Sequence, residues 1–591
     1  MIVDYLIREG VEYVFTIPGH GNTALLDAFV DRKDEITVLP AMHEQGAVHM
    51  AAAQYRAAGK IAAACVSIGP GATNTLTALA GAYTDSVPVL LLTGGVHTYM
   101  VGRGTFQEID RPHGSNFPRM AEPVVKRWWQ PSRVDQLGFT LSQAFSAMTE
   151  GRPGPVLIDV PQDVQAESAV WEPPTPVCSA RKSRPFGDPA AVAAAAKLLA
   201  TAERPVILAG GGVILSEASP ALAKVAEFLG APVIHSYQGK GAFPADHDLY
   251  AGGCGDIGTD AGNAMARSAD VLLAVGCRFT DRVSSSYRPG ITFDIPGGTR
   301  LIHVDIDAFE IGKNYPAEIG INGDAKAVLE SLEKTLSSEH EPRDYRSSAQ
   351  YAELTELRAG WEIKLDPARS DDQQPVTVSR ALAEMAAALP RDTILVTDTG
   401  YCADQAFNEF PVYEPRHNIV SGAMSEMGFA IPTAIGARLA RPEAPVLAFV
   451  GDGSLLQTGT ELAVAAMLDL PLVVLALNNG GWDSVRDTQL LQHGSDRHLA
   501  TDFREIGATP YFADLCGLAK SLGCEAERVD DPAEIGTALK RAFEARRPVL
   551  IEVRSANEIP RTMMQQTGWW DVTIPEYLTD SRATYEEKRG F

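Results

Sequence analysis

Acidic and amide side chains stand directly after two successive apolar runs of the chain. The stretch VLAFVGDGSLLQ ends an apolar run at Gly451 and places Asp452 after it, and the next run, LPLVVLALNN, ends at Asn478 and Asn479. Ligands of parallel α/β sheets bind at the carboxyl ends of strands, and glycines let the backbone approach a ligand closely. Carboxylate and amide oxygens suit Mg²⁺ that also binds phosphates. The unit therefore predicts a metal ion that bridges a diphosphate to the protein.

The elements that position these residues follow from the pattern of apolar runs. Short β-branched runs such as IAAACVSI and VPVLLLTG alternate with stretches of helical spacing such as EQGAVHMAAAQYRAAG. This alternation is typical of α/β units around a parallel sheet. Segments rich in Pro, Ser and charge separate three such sets. The sequence therefore predicts an α/β fold of three doubly wound parallel-sheet domains at 1–168, 188–335 and 373–558, followed by a tail at 559–591.

Size, charge and cysteine content limit the class of protein. A chain of 591 residues is too long for one core, and its formal net charge of −24 argues against a nucleic-acid or anionic-membrane partner. Seven dispersed cysteines without a CxxC pair are typical of reduced thiols. No apolar run approaches the roughly 18 residues of a spanning helix, and Asp4, Arg8 and Glu9 interrupt the N-terminal stretch. We expect a cytoplasmic protein without nucleic-acid or membrane partners.

The Gly-Asp-Gly turn, a 24-residue spacer and the Asn-Asn pair together resemble the signature of thiamine-diphosphate (ThDP) enzymes. Each turn alone is common by chance, which is the alternative explanation. In this family a glutamate of the first domain contacts the aminopyrimidine ring and drives its tautomerisation, so that a ring nitrogen can take the proton from thiazolium C2. Glu44 follows a predicted strand and begins a helix, so the resemblance gives it this role. Taken alone, Glu44 could equally be a first-turn acid that stabilises the helix dipole.

The resemblance covers nearly the whole chain and points to the acetolactate synthase branch of the family. The first domain carries HEQGAVHMAAAQYRAAGK, FQEID and GRPGPVLIDVPQDV, and the middle domain carries GCRFTDRV. The third domain carries SGAMSEMGFAIPTAIGARLA ahead of the Gly-Asp-Gly unit. Because these motifs occur in the family's order, the chain is identified as similar to acetolactate synthases.

The resemblance also implies roles for individual residues of the cofactor site. Asp452 and Asn479 would bind Mg²⁺, with the Gly481 carbonyl as the third protein ligand. The Ser425 carbonyl would accept the pyrimidine amino group, and Met427 would bend the cofactor into its V shape. The residues expected to approach the cofactor diphosphate are Gly400, Tyr401, Cys402, Gly451, Gly453 and Ser454.

Substrate and assembly follow from the same resemblance. In this family the pyrimidine-binding glutamate and the diphosphate clamp meet across a subunit interface, which implies a homodimer or homotetramer acting on a small carbonyl compound. Phe106 and Gln107 would face the reacting centre. Lys126 and Arg282 align with basic residues near the substrate channel, where cations could hold the carboxylate of a 2-oxoacid. Surface salt bridging is the alternative for both.

Three stretches depart from the acetolactate synthase pattern. IPGHGNTALL places His20 near the expected pocket and looks more like enzymes that hydrolyse cyclic 1,2-diones in inositol breakdown. Thr488 stands where acetohydroxyacid synthases have a Trp that shapes the acceptor pocket, so a wider or more polar pocket is expected. The middle-domain stretch AGGGVIL resembles FAD-binding members, whereas CGDIGTDAG differs from their second FAD segment. A structural FAD is therefore left open beside ThDP and Mg²⁺.

Three functions remain open from the sequence. The first is a ThDP- and Mg²⁺-dependent carboligase that decarboxylates a small 2-oxoacid, as acetolactate synthases do. The second is a ThDP-dependent lyase or hydrolase of a 1,2-dione or 2-hydroxy carbonyl compound, which shares the cofactor chemistry but releases no CO₂. The third is a non-catalytic family member, and the presence of Glu44, Asp452 and Asn479 argues against it.

Overall fold

The computed structural model describes residues 1–108, 117–177, 184–494, 497–505, 509–557 and 573–589. Within these residues the chain forms three six-stranded sheets in which all paired strands are parallel. The predicted α/β architecture of three parallel-sheet domains is confirmed. The strands fall inside the predicted domains 1–168, 188–335 and 373–558, whose ends stay predictions.

The N-terminal domain contains strands β1 (Tyr13–Thr16), β2 (Thr37–Pro40), β3 (Ala63–Val66), β4 (Leu90–Gly95), β5 (Arg127–Trp129) and β6 (Val156–Pro161). Its helices are α1 (Ile2–Arg8), α2 (Thr23–Val30), α3 (Glu44–Ala58), α4 (Pro70–Thr73), α5 (Leu76–Thr84), α6 (Phe117–Ala121), α7 (Leu137–Thr149) and α8 (Gln162–Ala166). The spatial order is β2-β1-β3-β4-β6-β5. The central strands β3, β4 and β6 are buried along their whole length, as expected for a parallel sheet with helices on both faces.

The middle domain contains strands β7 (Pro205–Ala209), β8 (Val233–His235), β9 (Tyr250–Gly253), β10 (Val271–Val275), β11 (Arg300–Asp305) and β12 (Ile319–Asn322). Its helices are α9 (Pro189–Thr201), α10 (Gly211–Leu215), α11 (Ser219–Leu229), α12 (Asp260–Ser268), α13 (Ala325–Glu339) and the following α14 (Ala349–Arg369). The order β9-β8-β7-β10-β11-β12 is that of dinucleotide-binding folds, which bind ligands where the strand order reverses.

The C-terminal domain contains strands β13 (Ile394–Thr397), β14 (Asn418–Val420), β15 (Val446–Gly451), β16 (Val473–Asn478), β17 (Glu525–Val529) and β18 (Val549–Arg554). Its helices are α15 (Val378–Ala388), α16 (Tyr401–Glu409), α17 (Ala430–Ala440), α18 (Asp452–Thr458), α19 (Leu462–Met467), α20 (Asp483–His493), α21 (Leu515–Ser521), α22 (Ile535–Glu544) and α23 (Thr579–Arg589). The order β14-β13-β15-β16-β18-β17 repeats the order of the N-terminal sheet.

Helices α3 and α17 pack against each other and join the first domain to the third. Their backbones approach closely, because a Cβ added at Gly436 would lie 2.4 Å from the Met50 carbonyl oxygen. The Gln54 side chain donates a hydrogen bond to the Gly436 carbonyl at 2.7 Å. Buried residues of both helices, such as Val48 and Ala434, belong to one hydrophobic core. The two domains therefore share a core, and they do not meet only at a polar surface.

Membrane, cysteine and tail features complete the fold. Within the described ranges, no helix is both long and apolar enough to cross a bilayer. The cysteines found there are free and buried, whereas Cys178 lies outside the described residues. The predicted tail lies partly outside them too, because residues 558–572 are not among those described. In the described part of the tail, the Tyr577 ring stacks under the Arg497 guanidinium at 5.7 Å.

Candidate active site

The two turns that carry Asp452 and Asn479 lie side by side in the structure. Strands β15 and β16 are neighbours in the sheet, and Gly451 at the end of β15 pairs with Leu477 near the end of β16. Asp452 begins α18, directly after its strand. Because parallel neighbours end at the same edge, both turns face the region where α/β sheets bind ligands. The adjacency expected from the sequence is therefore present.

The Asp452 carboxylate is buried and held in a fixed orientation. Its two oxygens accept hydrogen bonds from the backbone amides of Gly453 and Gly480, each at 2.8 Å. Only 2% of the residue is exposed. Burial raises the pKa of Asp452 to about 6, and the backbone amides partly offset this effect. A divalent cation beside the carboxylate would favour its ionised form.

Asn479 supplies the second oxygen of the predicted metal site. Its carboxamide oxygen accepts a hydrogen bond from the Gly481 amide at 3.1 Å, and its nitrogen donates to the Asp483 carboxylate. In the described part of the chain, no three His, Cys, Asp or Glu side chains cluster as a metal site. A cation here would depend on Asp452, Asn479 and the Gly481 carbonyl. Three oxygen ligands that leave room for phosphate and water fit Mg²⁺.

Open space for an anionic group lies in front of two strand ends. A Cβ added at Gly451 would meet no heavy atom within 4 Å, and one at Gly400 would meet only Ser484 Oγ, at 3.8 Å. Gly400 has a φ of 106°, which side-chain-bearing residues rarely adopt, and it directly precedes α16. The amides at the start of a helix favour anions. This backbone-lined space fits the diphosphate predicted for Gly400 and Gly451.

No sequence pattern singled out Asp398, yet it organises this edge of the sheet. Its buried carboxylate accepts hydrogen bonds from the amides of Thr399 at 2.9 Å, Gly428 at 3.1 Å and Ala430 at 2.7 Å. The Ser454 hydroxyl also bonds to it, and burial raises the pKa of Asp398. One carboxylate thus ties together the loops that follow β13 and β14 and the start of α18. Its signal in the sequence was its position at the end of an apolar run.

The loop between β14 and α17 brings Ser425 and Met427 to the same edge. Ser425 has a φ of 50°, and its Oγ lies 3.3 Å from Thr399 Oγ1. Ser425 is exposed and Met427 is half-buried, so both can reach a ligand at the edge. The structure therefore groups these two residues with the Asp452 and Gly400 turns.

Tyr401 and Cys402 both follow Gly400, but their side chains turn towards protein groups. The Tyr401 hydroxyl donates to the Asp487 carboxylate at 2.8 Å. The Cys402 thiol is buried and donates to the Asp398 carbonyl at 3.0 Å. The backbone of both residues remains the part that can approach a diphosphate.

Helix α20 carries a charged cluster beside the turn that is predicted to bind a metal. Arg486 pairs with Asp483 at 3.0 Å and with Asp487 at 2.9 Å. Burial raises the pKa of Asp483 to about 7. Thr488, on the same helix, donates its hydroxyl hydrogen bond to the Ser484 carbonyl at 2.8 Å. The position expected to shape an acceptor pocket therefore presents a small side chain with its hydroxyl already engaged.

Glu44 begins α3 directly after β2 and the short turn that follows it, as predicted. One carboxylate oxygen accepts a hydrogen bond from Asn74 Nδ2 at 2.9 Å. The other lies 3.2 Å from where a Cβ at Gly71 would be, so that glycine leaves room for the carboxylate. Glu44 is buried except for a small exposed part. The carboxylate is thus held at the carboxyl edge of the N-terminal sheet.

Phe106, Gln107 and His20 lie at that same edge. Gln107 has a φ of 62°, and its carbonyl oxygen lies 1.7 Å from where a Cβ at Gly69 would be. The loop after β4 therefore packs directly on the loop after β3. Phe106 is 78% exposed, and its ring lies 6.3 Å from the His20 ring. An exposed aromatic pair beside Glu44 can contact a ligand or another subunit.

Lys126 and Arg282 do not join either group in this chain. Lys126 precedes β5, at the opposite edge of the N-terminal sheet from Glu44, and its Nζ donates to the Glu150 carbonyl at 2.7 Å. Arg282 pairs with Asp256 at 3.1 Å and with Asp404 at 3.2 Å, which links the middle domain to α16. Both cations are engaged by protein groups.

A cleft of about 470 Å³ lies where the three domains meet. Its middle-domain wall includes the glycine turn after β7 and the ends of β10 and β11, where the strand order reverses. Among its lining residues are Gly211, Arg278 and Asp305, and it reaches Ser425 of the C-terminal domain. Clefts of this size and place bind nucleotide-like ligands.

Comparison with known protein families agrees with this arrangement. Residues 1–113 match the model described as "Thiamine pyrophosphate enzyme, N-terminal TPP binding domain". Residues 192–332 match "Thiamine pyrophosphate enzyme, central domain", and residues 398–553 match "Thiamine pyrophosphate enzyme, C-terminal TPP binding domain". Each matched segment falls within one of the three parallel-sheet domains, in the same order along the chain.

Individual relatives match over most of their length. The probable acetolactate synthase large subunit of Methanocaldococcus jannaschii is 38% identical over 568 residues, which cover 93% of this chain and 90% of the relative. The acetolactate synthase isozyme 3 large subunit of Escherichia coli K12 is 34% identical over 555 residues, which cover 92% of each chain. The chain therefore belongs to the thiamine-diphosphate-dependent enzymes, with acetolactate synthase large subunits among its relatives.

Proposed function

We propose that this protein uses ThDP and Mg²⁺ to make or break a C–C bond next to a carbonyl, and that it decarboxylates a small 2-oxoacid and joins the product to an acceptor, as an acetolactate synthase does. The observation that carries the proposal is the shared edge at which Asp452 and Asn479 lie beside the open space at Gly400 and Gly451. When bound, ThDP supplies the carbon nucleophile and accepts the electron pair of the broken bond.

Asp452, Asn479 and the Gly481 carbonyl would hold Mg²⁺, and the backbone at Gly400 and Gly453 would hold the diphosphate. The buried Asp452 carboxylate and the open space before the glycines support this arrangement. Tyr401, Cys402, Gly451 and Ser454 would contribute through backbone or packing, since the described side-chain bonds of Tyr401, Cys402 and Ser454 go to protein groups.

Glu44 would hold a proton at a pyrimidine nitrogen and so drive the tautomer that removes the C2 proton. The Asn74 hydrogen bond orients its carboxylate for that exchange. The Ser425 carbonyl would accept from the pyrimidine amino group, and Met427 would set the bend between the two rings. Burial of Glu44 supports the role, because a site that excludes water limits the leakage of protons to solvent.

We propose that a second copy of the chain completes the site, in a homodimer or homotetramer. In each copy, Glu44 and Phe106 lie at the edge of the N-terminal sheet, while the metal-binding turns lie at the edge of the C-terminal sheet. The exposed Phe106 ring supports burial against a partner. Phe106 and Gln107 would then face the reacting centre of the partner's cofactor.

Substrate specificity is assigned to His20 and Thr488, which would line the acceptor side of the pocket. Lys126 and Arg282 would have to leave their present protein partners to hold a substrate carboxylate. These partners argue against that role for both residues. The small Thr488 side chain favours a second candidate function, cleavage of a bulkier 1,2-dione or 2-hydroxy carbonyl compound without loss of CO₂.

The deciding assay combines purified protein, ThDP, Mg²⁺ and pyruvate, and follows CO₂ and acetolactate together. Both products at matching rates would support the carboligase. If the protein is shown by titration to hold ThDP yet forms neither product, the carboligase proposal is wrong and the dione cleavage is favoured. If the protein does not bind ThDP with Mg²⁺ present, both proposals are wrong.

FAD is proposed as a structural ligand of the three-domain cleft. The strand order of the middle domain and the glycine turn at Gly211 support it. Against it, Asp256 in the divergent CGDIGTDAG stretch is buried and paired with Arg282 and does not line the cleft. The absorption spectrum of the purified protein tests this proposal: flavin absorbance that is released on denaturation supports FAD, and its absence after reconstitution with FAD contradicts it.

A further inference from the structure

The Glu461 side chain of the C-terminal domain is hydrogen-bonded to the turn that precedes Glu44. It lies in the short turn Gly459–Glu461 between α18 and α19 and is 0% exposed. Its carboxylate accepts hydrogen bonds from the Met42 amide at 3.1 and 3.2 Å and from the His43 amide at 2.9 Å. These are the two residues directly before Glu44. A buried carboxylate of one domain therefore holds the turn directly before the helix that carries the proposed pyrimidine-binding acid of another.

The Glu461 carboxylate packs tightly against α3. A Cβ added at Gly46 would lie 2.2 Å from Glu461 Oε1, so the helix can pass only because that residue has no side chain. Burial and the nearby Glu44 charge raise the pKa of Glu461 to about 7, while the two amides oppose the shift. Charge-assisted hydrogen bonds to backbone amides are strong in such a dry setting. These hydrogen bonds fix the backbone of His43, one residue before Glu44.

Asp85 of the N-terminal domain makes the reciprocal contact. It caps the end of α5, and its side chain is 1% exposed. Its carboxylate accepts hydrogen bonds from the Gly422 amide at 2.9 Å and the Ala423 amide at 3.1 Å. These residues begin the loop that carries Ser425 and Met427. A Cβ at Gly422 would lie 1.9 Å from Gln238 Nε2 and 2.3 Å from Asp85 Oδ1, so a side chain at this position would crowd the contact.

The two contacts occupy corresponding places in the two domains. Each carboxylate comes from the crossover between the strands that lie third and fourth in the shared order, β3 to β4 or β15 to β16. Each carboxylate binds the loop that follows the edge strand of the other domain. Glu461 binds the loop between β2 and α3, and Asp85 binds the loop between β14 and α17. They differ in one respect: Asp85 also pairs with Arg56 of α3 at 2.9 Å, whereas Glu461 faces the Glu44 charge.

We infer that Glu461 and Asp85 are positioning residues that act across the domain junction, Glu461 on Glu44 and Asp85 on the Ser425–Met427 loop. The inference rests on the proposed function, because it concerns the same pyrimidine site. Each domain's loop is set by a carboxylate of the other domain, so one pair of contacts places both halves that this chain contributes to the sites of the proposed dimer. A displacement of about 1 Å at a catalytic group costs on the order of 100-fold in rate.

The test for Glu461 compares Glu461→Ala and Glu461→Gln with the exposed control Glu443→Gln in the same domain. The readouts are the rate at which the C2 proton of bound ThDP exchanges with D₂O and the affinity for ThDP with Mg²⁺. We expect Glu461→Ala to slow exchange roughly 10- to 100-fold at saturating ThDP while ThDP affinity stays near that of the wild type, because the metal clamp is untouched. Glu461→Gln keeps one acceptor oxygen and should slow exchange less. The control should match the wild type.

A double-mutant cycle with Glu44→Gln separates positioning from general damage. If Glu461 acts through Glu44, then Glu461→Ala adds no further loss of exchange in the Glu44→Gln background. Wild-type exchange in a folded Glu461→Ala protein, or a full additional loss in the double variant, would overturn the inference for Glu461. If Glu461→Ala does not fold, Glu461→Gln gives the same decision at smaller amplitude. Wild-type protein that fails to bind ThDP would instead defeat the proposed function.

The test for Asp85 uses the other readout. Asp85→Asn leaves the Arg56 charge less well paired and loosens the loop that contacts the pyrimidine, so we expect ThDP affinity to fall roughly tenfold. Gly422→Ala crowds the same contact, together with the Gln238 side chain, without removing the carboxylate, and should act in the same direction. Asp469→Asn, at an exposed position, is the matched control. Unchanged ThDP affinity in both Asp85→Asn and Gly422→Ala would contradict the role of Asp85.

Discussion

The N-terminal and C-terminal domains share a strand order but carry different chemistry at the same places. Where β3 ends, the N-terminal domain has Ser67; where the corresponding β15 ends, the C-terminal domain has Asp452. Where α3 begins stands Glu44, and where the corresponding α17 begins stands Ala430. The scaffold therefore provides equivalent edges, and under the proposed function a few residues at strand ends decide which edge binds a metal and which handles a proton.

The largest effect is expected from Glu44→Gln, which removes the acid at the start of α3, where the corresponding α17 begins with Ala430. We expect C2-proton exchange of bound ThDP to slow by about 10²- to 10⁴-fold, the usual contribution of a positioned general acid–base group. ThDP affinity should change little. Glu12→Gln, an exposed substitution in the same domain, serves as the control. If Glu44→Gln exchanged the C2 proton at the wild-type rate, the proposed division of roles between the two edges would be wrong.

Asp452→Ala tests the other edge, and Ser67→Ala tests the corresponding place in the N-terminal domain. Loss of the buried carboxylate should weaken Mg²⁺-dependent ThDP binding by roughly 100-fold, because the cation loses its charged protein ligand. Ser67→Ala should leave the Mg²⁺ dependence as it is in the wild type. Titration of ThDP at several Mg²⁺ concentrations checks both. Equal Mg²⁺ dependence in Asp452→Ala and wild type would show that the metal binds elsewhere.

Gly436→Ala tests whether the two domains depend on the close approach of α3 and α17. The new Cβ would lie 2.4 Å from the Met50 carbonyl oxygen, so one helix must shift. We expect an apparent melting temperature lower by roughly 4–10 °C, in keeping with overpacking of about 2–3 kcal/mol. Gly360→Ala in α14 meets nothing within 4 Å and should be neutral or stabilising. Equal melting temperatures for Gly436→Ala and the wild type would show that the contact between α3 and α17 tolerates an added methyl group.

Asp159→Asn gives the smallest effect and concerns pH. Burial raises the pKa of Asp159 to about 7, and hydrogen bonds from Thr93 and Gln130 oppose this. Because the folded-state pKa lies above the unfolded value, the wild type loses stability as pH rises from about 4 to about 7. The variant has no such loss, so its melting temperature relative to that of the wild type should rise as the pH rises from about 4 to about 7. A pH-independent difference would contradict the assigned pKa.

Local sequence features were enough to find the two edges, because strand ends and glycine turns are encoded locally. Asp452 and Asn479 meet since β15 and β16 are sequence neighbours joined by one crossover. The role of Glu44 was predicted from the family resemblance, and its place between a strand and a helix agrees with the structure. Lys126 needed more, because its place depends on the position of β5 in the sheet, which no short pattern encodes.

The contacts between domains could not be predicted from the sequence, for a physical reason. Glu461 meets His43, and Asp85 meets Gly422, across several hundred residues of chain, and no spacing rule links them. Arg282 is a further case: its motif indicated a basic residue near the channel, but its two carboxylate partners come from separate segments. Long-range pairing of this kind depends on how the three domains pack, which follows from the shared core.

The packing of α3 against α17 also has a consequence during synthesis. Most of α3 is buried in the finished protein, yet α17, which covers part of it, is made only after the whole middle domain. At 5–20 residues per second, the ribosome needs roughly 20–70 s to reach α17. For that interval the nascent N-terminal domain carries an uncovered Ala-rich helix face. We therefore expect the N-terminal domain made alone to aggregate through this face.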